Sequence, residues 1–171
     1  MSSYLITGGS RSGKSRYALE LAKSAKKPFY IATGWAGDDE MADRIKKHRK
    51  ERGKNWTTIE TKIDISSAIV KAEKKGADFI IVDCLTLWVS NLMFENKNIE
   101  KEIKKVAEVI NSHRKAPLVF VTNEVGSGIV PVDKMSREFR DAAGLANQKI
   151  AAAVDNVVLT VCGQPLYIKG R

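Results

Sequence analysis

A chain of 171 residues that is 43% hydrophobic is long enough to bury one sizeable core. Its 29% of charged residues excludes global disorder, and its net charge of +9 suits a polyanion (nucleic acid, acidic membrane surface or nucleoside triphosphate) without choosing among them. No apolar run approaches the ~20 residues needed to span a bilayer, and MSSYLITGGS, interrupted by a glycine-rich turn, is not expected to be a signal peptide, so a cytoplasmic location is expected.

Short β-type runs alternate with segments of helical period along the chain. YLIT (4–7) reads as a strand, and Lys14 to Lys26 as a helix with Ala18, Leu21, Ala22 and Ala25 on one face. FYIAT (29–33) is the next strand, after which Asp38 or Asp39 caps a strongly basic helix running towards Arg52. WTTIE (56–60) precedes an amphipathic helix carrying Ile65, Ala68, Ile69 and Ala72. The nearly all-apolar FIIVDCL (79–85) fits a strand buried on both faces of a parallel sheet. A helix with Ile99, Ile103, Val106, Ala107 and Ile110 at core spacing follows, then the buried strand LVFVT (118–122) and a loop with two glycines and a proline. Lys134 to about Asp155 reads as a long helix with Gly144 as its weak point. VVLTV and PLYIK, separated by Cys-Gly-Gln, suggest a closing hairpin. With no repeat or linker, residues 1–171 read as a single three-layer α/β domain.

The lysines in KSAKK, KAEKK and IEKEIKK fall on outer helix faces and read as solvated surface. Cys84 and Cys162 lie far apart, outside any CxxC pair and within apolar runs, so both are expected to be buried free thiols.

The motif that carries chemistry is Gly8-Gly9-Ser10-Arg11-Ser12-Gly13-Lys14-Ser15, which fits GxxxxGK[ST] between a strand and a helix. Glycines let the backbone turn with positive φ and bring N–H groups to phosphate oxygens, and the helix N-terminus adds partial positive charge. Lys14 is expected on the β- and γ-phosphates of ATP or GTP and the Ser15 hydroxyl on Mg²⁺. Asp83, closing FIIVD, is the candidate second Mg²⁺ ligand, in the position of a Walker B acid. The expected fold class is therefore a P-loop NTPase of RecA-like type with a mostly parallel central sheet.

In DDEMADRIKKHRKERGKNW (38–56), His48 lies one helical turn from Arg44, Ile45, Glu51 and Arg52. Cations nearby disfavour the imidazolium, which leaves a neutral nitrogen able to act as a base or as a nucleophile towards phosphorus. Spacing alone does not separate this role from that of a surface histidine, the reading His113 keeps.

The segments TGGSRSGKS (7–15), YIATGWAGDDEMADRIKKHRKERGKNW (30–56), VDCLTLWVSNLM (82–93), TNEVGSGIVP (122–131) and FRDAAGLANQKIAAAVDNVVLTVCG (139–163) resemble the bifunctional adenosylcobinamide kinase/adenosylcobinamide-phosphate guanylyltransferase family of cobalamin biosynthesis. The resemblance implies two reactions. ATP or GTP phosphorylates the aminopropanol hydroxyl of adenosylcobinamide. GMP is then transferred from GTP through a GMP–histidine adduct, for which His48 is the matching position, giving adenosyl-GDP-cobinamide and pyrophosphate. It also implies nucleotide contacts at Gly8 to Ser15, at Ala32, Thr33 and Gly34, at Arg49, Lys50, Glu51 and Arg52, at Glu60 and at Asp83, with Lys14 and His48 catalytic and Mg²⁺ on Ser15 and Asp83. Glu60 can accept from the N1 and N2 hydrogens of guanine. Glu124, just past a strand's carboxyl end, is placed for a substrate or nucleotide role. The family pattern implies a symmetric homo-oligomer, often a homotrimer. The residue before His48 is Lys47, where some relatives carry a second histidine, and Asp83 stands where some have glutamate.

Three other readings compete. A related P-loop small-molecule kinase would use Lys14 and Asp83 and have no need of His48. A regulatory GTP switch would carry the guanine-reading NKxD signature, which is missing, and no nucleic-acid-binding module is recognisable, so no nucleic-acid partner is expected.

Overall fold

The computed structural model describes residues 2–34, 52–53, 55–112 and 115–170. One sheet holds seven strands, β1 (Ser3–Thr7), β2 (Pro28–Ala32), β3 (Thr57–Glu60), β4 (Phe79–Asp83), β5 (Leu118–Val121), β6 (Asn156–Val161) and β7 (Gln164–Lys169), in the order β3-β2-β4-β5-β1-β6-β7. All neighbours pair in parallel except β6 and β7, which form the antiparallel hairpin. The described helices are α1 (Lys14–Leu21), α2 (Ile65–Lys74), α3 (Leu85–Phe94), α4 (Ile99–Ser112) and α5 (Lys134–Ala153).

Parallel strands covered on both faces must be apolar on both, and alternate residues here feed two separate cores. Leu5, Phe29, Ile31, Ile80, Val82, Leu118 and Phe120 pack with α2, α3, α4 and α5. Ile6, Tyr30, Ile81, Val119, Val121 and Val158 pack with Ala18 and Ala22 of α1 and its flank. The result is the three-layer α/β arrangement expected. Local chemistry sets the helix starts: Asp64 and Asp133 each accept a backbone N–H three residues on, at 2.9 and 2.7 Å.

Three sequence expectations need correction. FIIVDCL is not a strand to its end: β4 stops at Asp83, and Leu85 already belongs to α3, an unanticipated helix. α3 buries Leu85, Thr86, Trp88, Val89 and Leu92, so it lacks the polar face that reveals a helix in sequence. The helix from Lys14 ends at Leu21 rather than Lys26, with Ala22 as its C-cap. Cys162 is exposed rather than buried, because it and Gly163, at φ 50° and 79°, make the two-residue turn of the β6–β7 hairpin. Cys84 is buried, as expected.

Candidate active site

The glycine turn begins where β1 leaves the sheet. Gly8, at φ 149°, could not carry a side chain, since a Cβ would lie 2.5 Å from the Thr160 carbonyl oxygen. Gly13, at φ 101°, caps α1 in the left-handed region. The β6–β7 turn braces this loop from outside: the Gly163 N–H donates to the Ser12 carbonyl at 2.9 Å, and Ser12 Oγ bonds Thr160 Oγ1 at 2.8 Å. A hairpin connection through Cys-Gly-Gln is visible in sequence, but not its seat on the phosphate loop.

Lys14 opens α1, and its side chain folds back over the turn. Its Nζ donates to the carbonyls of Gly8 at 3.0 Å and Gly9 at 2.5 Å. Burial holds this lysine's pKa below the ordinary value, and the negative charge of Asp83 partly opposes the shift. Asp83 stands at the carboxyl end of β4, with β5 between it and β1. Its Oδ2 accepts from Ser15 Oγ at 3.4 Å, so the structure brings together the lysine, hydroxyl and carboxylate expected around a triphosphate. Ser15 and Asp83 present hard oxygen donors side by side, a set that fits Mg²⁺.

Tyr30 was not anticipated as a site residue. From β2 its hydroxyl donates to the same Asp83 Oδ2 at 2.6 Å, and its ring lies under the Arg52 guanidinium, 3.4 Å from the ring centroid. Trp56 meets that ring edge-on, with centroids 6.1 Å apart. Burial first, then the charge of Asp83, raises the Tyr30 pKa well above the ordinary phenol value, so the group remains a hydrogen-bond donor at neutral pH. In sequence, Tyr30 is one aromatic among the apolar residues of a strand, with no sign that its hydroxyl reaches the next strand's carboxylate.

The other predicted contacts are placed unevenly. Ala32 ends β2, and Thr33 and Gly34 follow it. Thr33 is buried, and its hydroxyl donates to the Cys84 carbonyl and accepts from the Cys84 N–H, both at 2.8 Å. It therefore clamps β2 to the start of α3. Glu60 closes edge strand β3, paired with Ala32. It lies four sheet positions from β1, or about 19 Å at ~4.8 Å per strand. His48, Arg49, Lys50 and Glu51 lie outside the described residues, as do Trp35 and His113. A cleft of about 290 Å³ lies beside Leu19, Lys23, Pro28, Arg52 and Trp56, and none of residues 8–15 lines it. A second, much smaller pocket of about 10 Å³ lies at the site itself, among Ser15, Tyr30, Arg52, Ile81 and Asp83.

A family profile for cobinamide kinase / cobinamide phosphate guanyltransferase matches residues 4–168. The chain belongs to that family. The bifunctional adenosylcobalamin biosynthesis protein CobP of Pseudomonas aeruginosa is 39% identical over 98% of this chain and 97% of its own length. CobU of Salmonella typhimurium, described by the same function, is 40% identical over 96% of this chain and 98% of its own length. Among solved structures, an ATPase from a bacterial type III secretion system superposes with a TM-score of 0.56 at 9% identity, over 92% of this chain and 50% of that one. At that identity the likeness concerns the fold, which is that of P-loop ATPases. The protein is thus an enzyme of the cobinamide kinase/guanyltransferase type with a nucleotide-binding P-loop. Among the described residues, no helix is long and apolar enough to cross a membrane.

Proposed function

We propose that this enzyme phosphorylates adenosylcobinamide and then guanylylates the product through His48, with Lys14 holding the phosphates of the nucleotide. The observation that carries the reading is the convergence of the Lys14 ammonium, the Ser15 hydroxyl and the Asp83 carboxylate around the glycine turn. In the first step the substrate hydroxyl attacks the γ-phosphorus of ATP or GTP and the nucleoside diphosphate leaves. In the second, a neutral His48 nitrogen attacks the α-phosphorus of GTP, forming a P–N bond as the bond to the β-phosphate oxygen breaks and pyrophosphate departs. An oxygen of adenosylcobinamide phosphate then displaces the imidazole, giving adenosyl-GDP-cobinamide.

Ser15 and Asp83 would hold Mg²⁺, which supplies positive charge against the phosphate oxygens when bound. Lys14 lies on the backbone carbonyls of the turn it closes, and its charge would stabilise the leaving phosphates. Arg49, Lys50 and Arg52 would offset triphosphate charge, with Glu51 beside them, and Glu60 would read guanine. Gly8 to Ser15 would contact the phosphates, and Ala32, Thr33 and Gly34 the nucleotide. Thr33 would do so through its backbone, since its hydroxyl is committed to Cys84.

A homo-oligomer, with a trimer as the working state, is supported by apolar side chains left uncovered in one chain. Ile129 and Val132 are each 97% exposed, and Leu166 and Ile168 stand out from edge strand β7. Small molecules are the proposed partners, in the cytoplasm, with no nucleic acid.

GTP labelled in its α-phosphate tests the reading. An acid-labile, base-stable label should appear on the wild-type protein and disappear in His48→Ala. Label retained in that variant would overturn the assignment of His48, and phosphorylation of cobinamide without any protein label would reduce the enzyme to a kinase.

A further inference from the structure

The two proposed steps differ in their need for a base. An alcohol must lose its proton as its oxygen bonds to phosphorus. A neutral imidazole carries a free lone pair, and a phosphate monoester is already ionised. A carboxylate serving the alcohol alone would therefore matter to one step and not to the other. We propose that Glu124 is that carboxylate, the general base for the acceptor hydroxyl. The proposal rests on the kinase reading above.

Its position comes from the backbone. Beyond the end of β5, the Thr122 N–H donates to the Ile6 carbonyl at 3.0 Å and the Glu124 N–H to the Gly8 carbonyl at 3.1 Å. The chain leaving β5 is thus carried alongside β1 into the phosphate turn. The Gly8 oxygen is also the one that Lys14 Nζ meets at 3.0 Å. The Glu124 backbone nitrogen and the lysine that meets the transferred phosphoryl group are therefore no more than two hydrogen-bond lengths apart.

The root of this loop is pinned. Thr122 Oγ1 donates to Asn147 Oδ1 of α5 at 2.8 Å, and the Asn123 N–H donates to Thr86 Oγ1 of α3 at 2.7 Å. The Thr86 and Thr122 hydroxyls, both buried, lie 3.3 Å apart. A base must be held within about half an ångström of its working position, and three elements fix the backbone from which Glu124 projects.

The side chain is oriented by one oxygen and open at the other. Oε1 accepts from the Gly126 N–H at 2.6 Å and from Ser127 Oγ at 3.4 Å. Oε2 has no hydrogen bond among the described residues, and the residue is exposed. Asp83, the other carboxylate at the turn, has its Oδ2 taken by Tyr30 and Ser15 and is assigned above to Mg²⁺, which leaves Glu124 as the carboxylate without another task. In the step, the hydroxyl proton passes to Glu124 Oε2 as the substrate oxygen bonds to the γ-phosphorus. The bond from that phosphorus to the β-phosphate oxygen breaks, and the nucleoside diphosphate leaves with the bonding pair.

Glu124→Gln tests this in the full-length enzyme, because the amide oxygen can still accept from Gly126 and Ser127 while losing the basic site. Phosphorylation of adenosylcobinamide should fall about 10²–10⁴-fold, the usual worth of a positioned general base. Labelling by α-phosphate-labelled GTP and transfer of GMP to pre-formed adenosylcobinamide phosphate should stay within a few-fold of wild type. An undiminished kinase step in Glu124→Gln would overturn the proposal, as would an equal loss of both steps, which marks a structural or shared nucleotide role. Should Glu124→Gln fail to fold, Glu124→Asp takes its place: it shortens the reach by one methylene and should likewise slow phosphorylation while sparing GMP transfer, and an unchanged kinase step or an equal loss of both would again overturn the proposal. A wild-type protein that takes no label would instead refute the His48 reading and leave the kinase comparison to decide Glu124.

Discussion

Replacing Tyr30 by phenylalanine removes one hydroxyl and leaves the ring that carries Arg52 and meets Trp56. What is lost is a 2.6 Å hydrogen bond from a phenol that is 7% exposed to a carboxylate that is partly buried. Hydrogen bonds to charged groups contribute about 1.5–3 kcal/mol net. Asp83 keeps its longer contact from Ser15, so about 2 kcal/mol is the expected loss. For a chain of this size that lowers Tm by about 4–8 °C. Asp83 is also the proposed Mg²⁺ ligand, so releasing its carboxylate should raise the Mg²⁺ concentration for half-maximal activity, while affinity for GTP in EDTA stays unchanged. Alkaline pH adds a second signature. The unfolded chain loses the phenol proton near pH 10, whereas the folded chain holds it higher, so stability falls as pH rises past 10. Tyr30→Phe should flatten that fall. Thermal denaturation across pH, with Mg²⁺ titration of each step, makes the measurement. A variant with wild-type Tm and wild-type Mg²⁺ dependence would refute the claim that Tyr30 positions the metal carboxylate.

Gly8→Ala places a Cβ 2.5 Å from a backbone oxygen at φ 149°, and should cost about 1–3 kcal/mol from strain alone together with loss of nucleotide binding, read by denaturation and calorimetry. Gly144→Ala is its counterpart: it lies inside α5 with nothing near the added atom, so stability should rise by about 0.5–1 kcal/mol. Burial pushes the Cys84 thiol up to about 12, whereas Cys162 is exposed. A thiol reagent at pH 8 should therefore modify one cysteine in the native protein and two in denaturant, with mass spectrometry placing the first adduct on Cys162. The Cys84 thiol also makes stability fall between pH 9 and about 12, because over that range only the unfolded chain has released this proton.

How much could be read in advance follows from what each residue needs from its surroundings. The strands were legible because a sheet covered on both faces demands runs such as FIIVD and LVFV, and the phosphate turn because glycine, lysine and serine have fixed tasks in it. The place of Asp83 at the end of a buried strand was legible from the apolar run FIIVD, although its 3.4 Å approach to Ser15 was not. α3 was not, since burial on nearly every side erases the amphipathic period, and FIIVDCL reads on into it. Tyr30 and Thr33 were obscure for a different reason. What their hydroxyls meet is decided by strand order, β2 beside β4, which no local pattern encodes. The exposure of Cys162 likewise follows from its place in a turn of positive φ rather than from the apolar residues around it. The length of the match to the cobinamide kinase/guanyltransferase family was legible from five separate segments, of which the phosphate turn is the least specific.

In the proposed mechanism the turn at residues 8–15 presents GTP to a nucleophile of the same protein. It is tested most directly by mixing the enzyme with GTP and Mg²⁺ in the absence of any cobinamide and counting pyrophosphate released in the first turnover. One pyrophosphate per guanylylated chain is expected, as a burst without steady release, absent from both Lys14→Ala and His48→Ala. Release of inorganic phosphate with no pyrophosphate, or a full burst in Lys14→Ala, would contradict the account.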